Sequence, residues 1–285
     1  MKLLNLLDPF YLYENRALVL SAIKGALKRY STIVPQWLRA QEIPLTKNDR
    51  KIAVLKDKHR GRRCFIIGNG PSLKIADLDK LKCEITFACN KIYLAFDQTD
   101  WRPTYYSVYD VLIAENNTAA IRELNLCKIF GDGVRSYFND AKNILWLREL
   151  KLPLSNGVPE CQFSINALEG VYGGWTVLYL QMQLAFYLGI REIYLIGVDF
   201  RFKVPPSSGK KCPSGEVLED QGEINHFHSE YRKPGETWTM PLLDLQYKAF
   251  LAAKQTVEAH GGSIFNASRK TALDIFPLVN IDDII

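Results

Sequence analysis

The chain has 285 residues, 47% hydrophobic and 24% charged, a composition that builds a folded core and excludes fibrous, collagen-like and wholly disordered classes. Its net charge of +5 comes from 36 Lys and Arg set against 31 Asp and Glu, so it suits a phosphate-bearing ligand without marking a nucleic-acid footprint. The six cysteines, Cys64, Cys83, Cys89, Cys127, Cys161 and Cys212, show no C-x-x-C spacing and sit mostly in apolar segments, which reads as reduced core thiols.

Met1 to Leu7 contains no sustained apolar stretch ending in small residues, so no cleaved secretory signal is expected and the protein is placed in the cytoplasm. Residues 1 to 57 carry Arg16, Lys24, Lys28, Arg29 and Arg39 on amphipathic helical patterns, an N-terminal basic extension. Such a helix fits either the inner surface of a membrane, as peripheral contact, or a solvated face.

From Arg63 the texture changes to alternating strand and helix signals. Cys64-Phe65-Ile66-Ile67 is short and apolar and runs into a Gly/Pro turn, which predicts a buried strand feeding a loop. Further strands are predicted at Ile85 to Cys89, Tyr105 to Tyr109, Lys128 to Phe130, Ile144 to Leu147, Ile193 to Ile196 and Ser263 to Asn266. Helices are predicted at Ser72 to Leu81, Val111 to Glu123, Gly174 to Leu188 and Leu242 to His260. Strands separated by such helices give right-handed crossovers, so the fold class is a doubly wound, mostly parallel, Rossmann-like α/β domain over residues 58 to 285.

Gly170 to Ile190 is apolar enough to suggest a membrane span, but Gln181, Gln183 and the following Arg191-Glu192 favour a helix buried against the sheet. Residues 201 to 240, with Pro205-Pro206-Ser207-Ser208-Gly209-Lys210-Lys211 and a polar run to Asn225, read as a lid too polar for a packed connection.

Ligands of such folds bind beyond the carboxyl ends of the strands. There Gly68, Asn69, Gly70 and Ser72 form a loop whose glycines permit close backbone approach and whose helix, capped by Ser72, offers N–H groups to a phosphate. The same pattern fits a plain strand-to-helix turn. Asn90 and Asp110 follow the next two strands, as ligand contacts or as caps. Gly173, Gly174 and Thr176 make a second, strand-free loop before the apolar helix, again readable as a cap. Asp199 ends a strand with no local cation and suits a sugar hydroxyl, a ribose or a metal ion. His226 and His228 close the lid, and histidine is the side chain best suited to accept a proton near neutrality. A metal site lacks an evident third ligand.

Taken in order, Ile66-Ile67-Gly68-Asn69-Gly70-Pro71-Ser72-Leu73, Cys89-Asn90, Tyr109-Asp110, Gly173-Gly174-Trp175-Thr176, the run Ala185 to Phe200 and the His226 cluster resemble two related bacterial families. One is the sialyltransferases that decorate lipooligosaccharide. The other is the motility accessory factor and 6-hydroxymethylpterin pyrophosphokinase-like family, to which Gly262 to Ser268 and Phe276-Pro277 are also similar. The resemblance covers roughly residues 63 to 285.

The first family implies a glycosyltransferase that uses a cytidine monophosphate sugar to build a surface glycan, inverting and without a metal or other cofactor. Asn69, Asn90, Asp110 and Thr176 would hold the donor, Asp199 its nucleotide or sugar, and His226 or His228 would deprotonate the acceptor hydroxyl. Lid tyrosines serve the leaving phosphate in that family. Here none lies between Tyr194 and Tyr231, which leaves Arg201, Lys203, Lys210 and Lys211 for the task. The second family implies a pterin pyrophosphokinase using ATP and Mg²⁺, with Asp110 and Asp199 as metal ligands. A third reading is a non-catalytic partner protein docked through its basic N-terminal helices.

Overall fold

A computed structural model describes residues 16–138, 143–155, 157–205, 209–212, 215–220, 222 and 224–285. Two helices come first, α1 (Arg16–Ala40) and α2 (Lys47–Ala53). The central sheet has seven parallel strands: β1 (Arg63–Ile67), β2 (Ile85–Cys89), β3 (Tyr105–Ser107), β4 (Lys128–Gly131), β5 (Ile144–Leu147), β10 (Glu192–Ile196) and β14 (Ser263–Asn266). The helices α3 (Ile75–Lys80), α4 (Val111–Glu123), α5 (Val177–Tyr187) and α6 (Leu243–Ala259) connect or flank them. Between β5 and α5 run four two-residue strands: β6 (Glu149–Leu150), β7 (Leu154–Ser155), β8 (Val158–Pro159) and β9 (Val171–Tyr172).

The fold is therefore the doubly wound α/β class, and its strands fall where short apolar runs are bounded by Gly, Asn or Asp. Parallel strands are buried on both faces and read as continuous apolar runs. Phe65, Ile66 and Ile67 are all fully buried accordingly. Two apolar layers cover the sheet, one including α5 and α6 and the other including residues of α3 and α4. α5 has 11 residues, all buried, so the segment is a core helix. Among the described residues no helix is long and apolar enough to cross a membrane. Gln181 donates to the Ala88 carbonyl at 2.8 Å, and Gln183 accepts from Ser164 and Tyr172 N–H and donates to the Tyr172 carbonyl, which satisfies the Gln183 amide inside the core.

Sheet order is β14-β10-β1-β2-β3-β4-β5. The chain steps outward from β1 to β5, then returns to lay β10 on the other side of β1. The order thus reverses between β1 and β10, and the loops after these two strands face each other.

Several expectations are corrected. Residues 201 to 240 are not an unpacked lid: β11 (Lys210–Cys212), β12 (Gly215–Glu219) and β13 (Thr237–Thr239) form an antiparallel sheet, with Leu218, Tyr231 and Trp238 buried. Lys91 ties it to the body through a buried ion pair with Glu236 at 2.7 Å. Pro206, Ser207 and Ser208 of this segment, like Met1 to Leu7, lie outside the described residues.

The boundary at residue 57 falls inside the body. Ile52 and Leu55 are buried in the main core, and Asn48 bonds the Trp146 backbone in both directions at 2.9 Å. Of the cysteines, Cys64 and Cys89 are buried as expected, but Cys83 and Cys127 are exposed because they precede strands β2 and β4 rather than lying within them. The side chain of Cys212 lies outside the described residues.

Candidate functional site

The loops after β1 and β10 interlock. Gly68 N–H donates to the Ile196 carbonyl and Gly70 N–H to the Gly197 carbonyl, each at 2.8 Å. A Cβ at Gly68 would stand 2.5 Å from the Gly197 oxygen, and one at Gly70 would overlap the Asp199 carboxylate. The glycines therefore serve the approach of two loops. Ser72 donates its N–H to Asp199 Oδ1 at 3.1 Å and its hydroxyl to Oδ2 at 2.8 Å.

This corrects the reading of Ser72 as a helix cap. α3 starts only at Ile75, with Lys74 as its uncapped N-cap, so the loop does not run straight into a helix N-terminus. Burial pushes the Asp199 carboxyl above its ordinary range, opposed by the Ser72 bonds and by Lys270.

Asn69 and Asn90 stand at the ends of the adjacent strands β1 and β2. The Asn69 amide donates to the Cys89 carbonyl at 3.2 Å. The side-chain oxygens of both asparagines are buried and accept no hydrogen bond from the described residues. A buried acceptor left unpaired costs about 1–3 kcal/mol, so two at one crevice call for a donor from outside.

Asn90, Trp175 and Phe200 have positive φ of 51°, 57° and 53°. Asparagine adopts this conformation readily, but the two aromatic residues are strained, and such strain concentrates at functional sites.

Asp110 and Thr176 are caps: Asp110 accepts from Ile113 N–H at 2.9 Å and Thr176 from Leu178 N–H at 3.4 Å. Both also line the crevice. The loop of Gly173 and Gly174 is not strand-free, since β9 ends at Tyr172. A Cβ on Gly173 would collide with Tyr109 and Glu149, and Gly174, at φ +69°, packs on the Tyr179 ring, so packing accounts for both glycines.

The two histidines separate. The His226 ring stacks on Tyr231 at 3.7 Å with the planes 2° apart, and Phe202 meets it edge-on. His228 instead accepts the Glu230 N–H on its Nδ1 at 3.1 Å.

Two cavities open here, one of about 140 Å³ against the glycine loop and one of about 750 Å³ beyond it. The small one takes Gly68, Asn69, Gly70, Asp199 and Arg201 into its wall. The large one takes Asp110, Gly173 and Gly174. Asn90, Thr176 and His226 border both. Ser72 and His228 border neither, Ser72 because it is turned to Asp199 and His228 because it is turned to its own backbone.

Sequence reading missed much of the larger cavity. Tyr109, whose hydroxyl donates to Glu149, lies at the end of β3, and Glu149 follows β5, so the strand-end rule would have found both. Trp238 comes from β13 of the small antiparallel sheet and Tyr231 and Arg232 from the turns before it, with the Arg232 guanidinium 3.8 Å over the Trp238 ring. Of the cations offered for a leaving phosphate, Arg201 lines the small cavity, whereas Lys210 and Lys211 are exposed on β11. The Lys203 backbone donates its N–H to the Asn225 side-chain oxygen at 2.8 Å and accepts from the Asn225 side-chain nitrogen at 3.0 Å. Among the described residues no three His, Cys, Asp or Glu side chains gather as a metal site.

The molecule is thus a doubly wound α/β protein with a crevice at its topological switch point. A family model described as 6-hydroxymethylpterin diphosphokinase MptE-like matches residues 40–205, more than half of the chain, and the chain belongs to this family. No curated protein sequence matches it.

Two solved structures are similar. The MAf glycosyltransferase from Magnetospirillum magneticum AMB-1 shares 16% identity at a TM-score of 0.47, with 82% of this chain and 38% of that chain covered. The sialyltransferase CstII from Campylobacter jejuni, in complex with the substrate analogue CMP-3FNeuAc, shares 14% at a TM-score of 0.40, with 76% of this chain and 86% of that chain covered. The chain spans well under half the length of the first.

Proposed function

We propose that this protein is a glycosyltransferase that takes a nucleotide-activated, sialic-acid-like sugar and passes it to a hydroxyl of a surface or lipid-linked glycan. The observation that carries the reading is the convergence of Asn69, Asn90 and His226 on one crevice at the ends of β1 and β2. The orphan asparagine oxygens suit the hydroxyl and amino donors of a nucleoside.

In this reading the donor lies along the small cavity and the acceptor enters through the larger one. His226 takes the proton of the acceptor hydroxyl as its oxygen bonds to the sugar carbon from the far side. The bond from that carbon to the phosphate oxygen breaks, and the nucleotide leaves with the electron pair. Stacking on Tyr231 fixes the imidazole plane, so the base is held in place beforehand. Arg201 and Arg232 would offset the charge on the departing phosphate. Asp199 acts on the site through Ser72, holding the glycine loop against β10.

A second reading follows from the family description: transfer of a diphosphate from ATP to a pterin alcohol. It would recruit Asp110 and Asp199 to Mg²⁺, and each already accepts hydrogen bonds inside the protein.

The test is release of CMP from CMP-N-acetylneuraminic acid, with EDTA or with Mg²⁺, by the wild type and by His226→Asn. Release that survives EDTA and falls about 10²- to 10⁴-fold in the variant is expected. Turnover only of ATP with a hydroxymethylpterin and Mg²⁺ would replace the first reading by the second.

A further inference from the structure

α1 is a 25-residue helix seated on the body at its C-terminal end. There Arg39 pairs with Asp49 at 2.8 Å, its carbonyl accepts from Asn166 at 3.2 Å, and the Gln36 amide donates to Glu169 at 3.5 Å. Before that, Leu20, Ile23, Leu27, Tyr30, Val34 and Trp37 are all exposed, Leu27 at 64% and Tyr30 at 69%. At 3.6 residues per turn, these six side chains share one arc of about 100°. Singly exposed apolar residues are ordinary, but a continuous stripe along a helix marks something that covers it.

Charge says what that is. The helix carries Arg16, Lys24, Lys28, Arg29 and Arg39 and not one acid. Lys24 flanks the apolar arc, and Lys28 and Arg29 lie further round, one on each side of it. Long cationic side chains beside an apolar face reach up to phosphates while the face is immersed. Tyr30 and Trp37 are the aromatic types that settle at headgroup level.

The same spacing would also suit a two-helix seam between copies. Two such helices, however, would bring cations together with no carboxylate to pair them, and Pro35 breaks the backbone ladder between Val34 and Trp37.

A second apolar feature points the same way. The hairpin of β7 and β8 exposes Leu154 at 68% and Val158 at 54%, and Leu154 stands on the rim of the large cavity. The foot of α1 connects to that rim: Asp49, which holds Arg39, also holds Arg148 at 3.0 Å, next to Glu149 in the cavity wall.

We propose that α1 docks the protein on an anionic phospholipid bilayer, lying in the headgroup layer with its apolar arc inward. The β7–β8 hairpin then sets the cavity mouth beside the lipid surface. Docking stands or falls independently of which transfer the crevice performs.

The experiment is co-sedimentation of the full chain with vesicles of phosphatidylcholine alone and of phosphatidylcholine mixed with phosphatidylglycerol. Binding to the mixed vesicles that weakens with salt is expected. Leu27→Glu with Tyr30→Glu should lower it at least about tenfold, since each substitution removes the burial of one large side chain. Both positions are exposed, so the thermal transition of this variant should match the wild type. Lys24→Glu with Lys28→Glu should lower binding to the mixed vesicles as well. Sedimentation with neither vesicle, equal binding to both, or a lipid-free dimer that Leu27→Glu dissolves would each overturn the proposal, the last by assigning the face to a second copy.

Discussion

Ser72 and Asp199 lie 127 residues apart in sequence and are joined by a backbone and a hydroxyl hydrogen bond across the switch point. The bonds hold the loop after β1 to the loop after β10, and with them the floor of the crevice. Ser72→Ala removes a bond to a carboxylate and should cost about 1.5–3 kcal/mol of stability. Gly70→Ala, which sets a methyl group on the Asp199 carboxylate, should cost about 1–3 kcal/mol and also open the crevice. Thermal denaturation measures both, and a wild-type transition in both variants would show that the latch is not structural.

The histidines should part on substitution. His226→Asn should lower transfer about 10²- to 10⁴-fold while leaving nucleotide affinity near wild type, because a base acts on the reacting proton and adds little to ground-state binding. His228→Asn should leave both within about twofold. Equal losses in the two variants would point to a role for the segment as a whole.

Much of this crevice is legible in sequence, because parallel strands read as apolar runs and the polar residue after each run sits at the ligand-binding end. Asn69, Asn90 and Asp199 are found in that way. What the pattern hides is tertiary. Ser72 looks like a cap until its partner arrives from β10, and Asp110 is both a cap and a wall residue. Trp238 lies on a small antiparallel sheet whose strands are short and polar, Tyr231 lies in the turns that precede β13, and nothing local in their sequence marks them as cavity wall. The exposure of Cys83 and Cys127 escapes for a simpler reason: the strands begin at Ile85 and Lys128 as predicted, and a thiol just ahead of a buried strand is not itself buried.

Asp49 anchors the N-terminal segment to the body. Its side chain is fully buried, paired with Arg39 and Arg148, and completes a capping box with Thr46. Asp49→Ala leaves two arginines facing an apolar cap and should destabilise the fold by about 3–5 kcal/mol. Burial raises its carboxyl pKa, but bonds from Arg39, Leu45 and Thr46 with the charge of Arg148 outweigh it, and the net shift is downward from 3.8. A depressed carboxyl stabilises the fold above its unfolded pKa and loses that contribution as the pH falls through the folded one. Acid denaturation below about pH 4 should therefore be shallower in Asp49→Ala than in the wild type.

His59 sets a milder limit nearer neutrality. Burial, then Lys58 and Arg62, hold its pKa below 6.5, while its Nε2 meets the Tyr105 hydroxyl at 2.8 Å. The neutral ring is the form the fold prefers. Its contribution is present above pH 6.5 and declines as the pH falls toward the folded pKa, because the unfolded chain takes up the proton first. His59→Gln should flatten the loss of thermal stability as the pH falls below 6.5. An unchanged slope would assign that loss to other groups.

Nucleotide binding at the switch point is tested most directly by thermal stabilisation of the purified protein with CMP, CDP, UDP, GDP and ATP, each with and without Mg²⁺. Stabilisation by CMP in the absence of metal, lost in Asn69→Leu and Asn90→Leu but kept in His226→Asn, is the expected result. Stabilisation only by ATP with Mg²⁺, or by no nucleotide at all, would contradict a cytidine-sugar site in this crevice.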